Sequence, residues 1–375
     1  MSLFDKYIIN PVSAGLKKES QGIPIPLYKL SRYTNYIDKG TITAIGGKPS
    51  SGKTGLMDYA YFISVFKEWR ESIYELDEKG QIVFEQGVPV SNGHARKPLK
   101  MFYFSMKTDI RIKLQKWLCL YLKLEYGILM DIPTLTSGVG QLYELTEDHV
   151  EMIQAAKKFF DEFEDQVLTL VNGRQTPSSI YNRVNDYMKS IGHVDQTGTY
   201  MLNRENEGQT TIMYVDNDEY MLSENDGHHM MNDGDLKIRL SSHFETLKRT
   251  YGVTSFVITP SKLSNSRMVK DSEPTYKEIG VYAKVADIGL VTYNPYNENN
   301  NKFLNYPVED LIIRGVNRFR TVTIVRNYNG QANITVGLIF QGECGFFVES
   351  SAPNDFEFFE VAAKNLAKLA YVSLD

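Results

Sequence analysis

Residues 47–54 read Gly47-Lys48-Pro49-Ser50-Ser51-Gly52-Lys53-Thr54. The spacing G-x-x-x-x-G-K-[ST] is that of a phosphate-binding loop, and its chemistry follows from the residue types. The glycines let backbone N–H groups turn inward onto phosphate oxygens. A helix that starts behind them adds the positive end of its dipole. Lys53 supplies a point charge for β- and γ-phosphates, and the Thr54 hydroxyl is a ligand for Mg²⁺. Gly47, Lys48, Pro49, Ser50, Ser51, Gly52, Lys53, Thr54 and Gly55 are therefore the candidate nucleotide-binding residues. The metal needs a carboxylate as well. Thr211-Ile212-Met213-Tyr214-Val215-Asp216 is an apolar run ending in one, so Asp216 is the candidate that holds Mg²⁺ with Thr54.

These groups need elements to position them. Thr41-Ile42-Thr43-Ala44-Ile45 is a β-branched run that reads as a buried strand, and Gly55 to Ile63 carries apolar residues at helical spacing. Strand, glycine loop and helix are the context that the motif requires. Further strands are expected at 100–106, 167–171, 253–259, 321–330 and 335–340. Helices are expected at 110–122, 142–163, 181–191 and 235–251. Pro177-Ser178-Ser179-Ile180 opens the third of these, with a serine as its cap. Two stretches break the pattern and read as surface insertions, 72–97 and 192–210. The first has hairpin form, with Asp77-Glu78-Lys79-Gly80 as its turn. Residues 1–21 read as a tail or linker. An amphipathic helix is expected over 355–369, in a C-terminal segment 351–375. His228 and His229 stand in an acidic loop and read as solvated loop residues rather than metal ligands.

A chain of 375 residues suffices for one large α/β domain or two small ones. Its two cysteines, Cys119 and Cys344, cannot make a disulfide framework and point to a reducing compartment. No run of about 18 apolar residues suggests a membrane span, so a cytoplasmic protein is expected. A net charge of −5 argues against a surface coated with nucleic acid. It leaves room for nucleic acid held inside a ring or cleft.

Residues 22–40 begin Gly22-Ile23-Pro24-Ile25-Pro26 and end at Gly40, before the first strand. This lead-in, followed by Lys48-Pro49 in the loop, resembles the entry into the RecA-like motor domain of DnaB-type replicative helicases. Later blocks resemble that family in the same order, over residues 22–350. They are Phe104-Ser105-Met106, Val257-Ile258-Thr259-Pro260-Ser261, Ala283 to Val291 and Thr321 to Gly330. The resemblance implies a RecA-like P-loop core. Such a core is a mainly parallel sheet with helices on both faces, then a β-hairpin-rich C-terminal part. It implies a homo-hexamer with ATP and Mg²⁺ at subunit interfaces, single-stranded DNA in the channel, and a primase or loader as partner. Lys262, Arg267 and Lys270 fall on the loop that faces the channel in the family. Arg326 falls on a basic residue that reaches the neighbouring subunit's ATP site.

Three positions depart from the family pattern. Lys107 stands where the water-orienting glutamate is expected, Lys262 where a phosphate-sensing glutamine is, and Tyr328 at the arginine finger. Arg326 is then the remaining candidate for the finger. Nucleotide binding is expected to survive these changes and hydrolysis to be slow. The runner-up reading is a catalytically impaired ATP-binding ring or accessory subunit.

Overall fold

The computed structural model describes Asp5, Ile9 and residues 22–353. Within that span it omits 35, 76–81, 86–87, 94, 138–143, 226, 228, 262–273, 299–301, 309–311, 314–315 and 351. The expected C-terminal helix, the turn at 77–80 and His228 lie outside the described residues.

A short helix, α1 (Tyr28–Thr34), leads into strand β1 (Ile42–Gly46). Behind the glycine loop three helical segments, Lys53–Leu56, Met57–Ile63 and Ser64–Glu71, follow one another and form the rod α2. Then come β2 (Leu99–Ser105), α3 (Ile110–Tyr126), α4 (Glu147–Glu162), β3 (Leu168–Asn172), α5 (Pro177–Ile191) and β4 (Thr210–Asp216). The chain continues with α6 (Asp233–Tyr251), β5 (Thr254–Ile258) and β6 (Ile288–Tyr293). It closes with β7 (Phe319–Asn327), β8 (Ile334–Gln341) and β9 (Phe346–Glu349).

All nine strands form one sheet in the order β9-β8-β7-β6-β1-β5-β4-β2-β3. The pairings from β6 through β1, β5, β4 and β2 to β3 are parallel. β7, β8 and β9 add antiparallel to the β6 edge. The fold is thus the expected mainly parallel sheet with a hairpin-rich end.

Side chains alternate along each strand and fill two cores. On one face Tyr103, Ile212 and Tyr214 pack with Phe62, Trp117, Phe159 and Phe163 from α2, α3, α4 and the turn after α4. On the other, Phe102, Met213 and Val215 pack with Val184 of α5 and Phe244 of α6.

Several boundaries differ from the sequence expectation, each for a local reason. α4 starts at Glu147 rather than near 142, because Thr146 caps it and accepts the His149 N–H. α5 is capped by Thr176, not by a serine. Thr176 accepts the Ser179 N–H at 3.1 Å, and Pro177 occupies the first turn, where no N–H is needed. In the first insertion Val83 N donates to Glu75 O. A second small hairpin pairs Phe84–Glu85 with Val88–Pro89. The second insertion is a hairpin of Gly192–Val194 with Tyr200–Leu202.

Among the described residues no helix is long and apolar enough to cross a membrane. Cys119 of α3 and Cys344, between β8 and β9, are both free and share one small apolar cluster with Leu122, Leu129 and Met130. Burial pushes both thiols up to about 12. Since the thiolate is the reactive form, a disulfide reagent at pH 8 is expected to spare both thiols in the native chain and to take both in denaturant. Fast labelling of either thiol in the native chain would contradict this packing.

Candidate nucleotide and metal site

Six parallel strands end along one edge of the sheet, where ligands of open α/β folds bind. Gly46 pairs with Val291, Ile45 with Ile258, and Ser105 with Asp216, so the loop after β1 and the end of β4 share that edge.

The loop needs its glycines. Gly47 has φ +136°, and a Cβ there would lie 2.4 Å from the Thr292 carbonyl oxygen. Gly52 has φ +94° at the entry to α2. Ser51 Oγ lies 2.6 Å from Thr292 Oγ1 and ties the loop to β6. Pro49, Ser50, Gly52, Lys53, Thr54 and Gly55 line a cavity of about 340 Å³. Gly47, Lys48 and Ser51 form the loop behind it.

Lys53 folds back onto its own loop. It is 9% exposed, and its Nζ donates to Gly47 O at 2.6 Å and Lys48 O at 2.7 Å. The ammonium therefore sits against the loop's own carbonyls. Burial first, then the nearby Lys107 charge, lowers its pKa to about 8, with Glu219 and Asp216 opposing.

Asp216 is 1% exposed at the end of β4. Its Oδ1 accepts from Thr54 Oγ1 at 3.2 Å, which brings together the two residues expected to share Mg²⁺. Both are hard oxygen donors. One carboxylate and one hydroxyl, completed by phosphate and water, make a usual Mg²⁺ set. The other Asp216 oxygen faces inward. Its Oδ2 takes hydrogen bonds from Lys113 Nζ at 2.7 Å and Tyr103 OH at 3.2 Å. Lys113 also meets Asp58 Oδ2 at 2.9 Å, and Tyr103 OH donates to Asp58 Oδ1 at 2.7 Å.

Two buried carboxylates thus share one buried ammonium. Burial alone would lower the Lys113 pKa, but Asp216 and Asp58 outweigh it and raise it. Burial raises Asp58, and Asp216 adds to that, while Lys113 opposes. Asp216 directs its Oδ1 toward Thr54. A carboxylate oxygen beside a hydroxyl suits a hard cation on that side, so the residues present fit Mg²⁺.

Sequence reasoning missed Lys113 and Asp58. A signal was there. Lys113 lies one turn before Trp117 on the buried stripe of α3, and Asp58 interrupts the apolar run of α2. A charged residue on a buried helical face asks for a partner. Arg320 of β7 was also missed. It is buried beside Phe340 and lines the same cavity. Burial pushes it down to about 10, so it stays charged at neutral pH.

The remaining expected residues are more scattered. Lys107 lines the cavity, with its Nζ 5.7 Å from the Tyr220 ring centroid. Arg326 lies outside that cavity, where its Nε donates to Ala286 O. Tyr328 is 76% exposed just beyond β7. Lys262, Arg267 and Lys270 lie outside the described residues.

Sheet order, glycine loop and the Asp216 position define a RecA-like P-loop fold. No protein-family model and no curated protein matches the chain. Solved structures do. The ATPase domain of G40P matches with TM-score 0.62 and 14% sequence identity, covering 94% of this chain and 100% of that one. A DnaB-like replicative helicase, described with its interactions with primase, matches with TM-score 0.60 and 13% identity. That match covers 93% of this chain and 67% of the other. The chain has the RecA-like fold of DnaB-type helicase ATPase domains.

Proposed function

We propose that this chain is an ATP-binding, Mg²⁺-dependent motor of DnaB type that translocates on or unwinds DNA during replication. The observation that carries the reading is the meeting of Lys53, Thr54 and Asp216 at the carboxyl ends of a RecA-like sheet. Lys53 and the loop N–H groups bind the phosphates. Thr54 and Asp216 hold Mg²⁺, which would neutralise phosphate charge there. The likeness to helicase ATPase domains supports a homo-hexameric ring with nucleotide between subunits, where Arg326 serves the neighbouring site. A primase or loader is proposed as partner, in line with the primase interactions described for the second structure, and the cytoplasm of a phage-infected or plasmid-bearing cell as the place of action.

The deciding experiment is phosphate release from ATP by the purified chain, with and without single-stranded DNA. Turnover that rises with DNA supports the motor. Nucleotide binding with no DNA response returns the chain to the runner-up, an accessory ATP-binding ring. Absence of nucleotide binding sinks both.

Lys262, Arg267 and Lys270 are the proposed DNA-facing cations. Replacing all three by alanine is expected to weaken single-stranded DNA binding at least about tenfold at low salt. The slope of log affinity against log salt should flatten by about 2, since each lost phosphate contact removes about 0.7. An unchanged slope would place these residues away from the DNA.

A further inference from the structure

We infer that Glu219 is the carboxylate that orients the attacking water and takes its proton, in place of the acid missing at position 107. This rests on the reading of the site as an ATPase centre.

Among the described residues, five other carboxylates stand near the site, and each is engaged; Glu278, beside the loop, accepts the Thr275 N–H. Asp216 is held by Thr54, Lys113 and Tyr103. Asp58 is held by Lys113 and Tyr103. Asp109 caps α3, where its Oδ1 accepts the Arg111 N–H at 2.9 Å. Asp218 is turned inward, 2% exposed, and paired with Lys237 at 2.8 Å. Glu219 is exposed and lines the same cavity as Lys53 and Thr54.

The turn that presents Glu219 is clamped on each side. Asn217 Oδ1 accepts the Glu219 N–H at 3.0 Å. Arg174 donates to Tyr220 O at 2.8 Å and Met221 O at 3.1 Å. Asp218, anchored inside by Lys237, fixes the neighbouring side chain inward and leaves Glu219 facing the cavity. The Lys107 ammonium, near the Tyr220 ring, contributes positive charge on the same side of the site.

Water oxygen bonds to the γ-phosphorus as the bond to the β–γ bridging oxygen breaks, and ADP leaves with that electron pair. The proton of the water passes to the Glu219 carboxylate and from there to solvent.

The test is Glu219→Gln in the full chain, which keeps size and polarity but removes the base. Phosphate release with ATP, Mg²⁺ and single-stranded DNA should fall by about 10²–10⁴. The dissociation constant for an ATP analogue should stay within about threefold and the melting temperature should hold. Adding Lys107→Glu to that variant should restore at least about tenfold, by returning a carboxylate to the same cavity. Turnover of Glu219→Gln within about threefold of wild type overturns the assignment. So does a wild-type chain that binds ATP yet releases no phosphate, an outcome that leaves the nucleotide-binding reading intact. A wild-type chain that does not bind ATP overturns both.

Discussion

Replacing Lys113 by methionine is expected to cost about 3–5 kcal/mol of folding stability, the usual result of removing one partner from a buried ion pair. Methionine fills much of the same volume in α3, so the loss is electrostatic rather than a cavity. Asp58 and Asp216 would face each other across the Tyr103 hydroxyl with no ammonium between them. Adding Asp58→Asn should recover a large part of the loss, since it removes one of the two stranded charges. The two substitutions share a partner and will not add. Urea unfolding in EDTA reads both effects. A loss below about 1 kcal/mol for Lys113→Met would mean that the cluster is not charged as the geometry implies.

Lys53→Ala should weaken ATP-analogue binding at least about a hundredfold, a loss near 3 kcal/mol. The change removes the charge that meets the phosphates. It also frees the Gly47 and Lys48 carbonyls that accept from the ammonium. Those carbonyls lie in the loop behind the cavity, and water entering the space left by the Lys53 side chain, which lines the cavity, can satisfy them, so the melting temperature should fall only slightly.

The wild-type chain should show a pH effect that the variant lacks. Burial holds the Lys53 pKa at about 8. Below that value the ammonium is ready for phosphate. Above it, binding must first take up a proton, so affinity falls as pH rises, by up to about a decade per unit. A wild-type affinity that is flat from pH 7 to 9, or a variant that binds as well as wild type, would remove Lys53 from the phosphate site.

The phosphate loop was legible because it is a local device. A glycine with φ +136° and another with φ +94° were read from sequence as residues that let the backbone turn inward. The lysine and threonine follow at fixed spacing, and a buried strand shows as a short apolar run. Asp216 was legible for the same reason, since a carboxylate at the end of such a run lies at the sheet edge. The residues at 142–146 misled because apolar content marks where a helix is compatible, whereas Thr146 decides where it begins. Orientation within a turn was less legible still. Asp218 and Glu219 are adjacent acids, and sequence alone offers Asp218 as readily as Glu219 for the role of base.

By itself the sequence determined the loop Gly47–Thr54, the order of strands and helices, and the place of Asp216 at the end of an apolar strand. Each depends on neighbours within a few positions along the chain. Only the tertiary structure decided that Lys53 folds back on its loop, that Lys113 pairs with both Asp58 and Asp216, and that Asp218 faces in while Glu219 faces the cavity. Those outcomes depend on which face of α3 meets α2 and β4, and on Lys237 of α6 reaching the turn after β4. Apart from the Lys53 contacts, which stay within the loop, such contacts join residues 45 to more than 100 positions apart or on separate elements, and their energies come from burial and charge pairing rather than from local spacing.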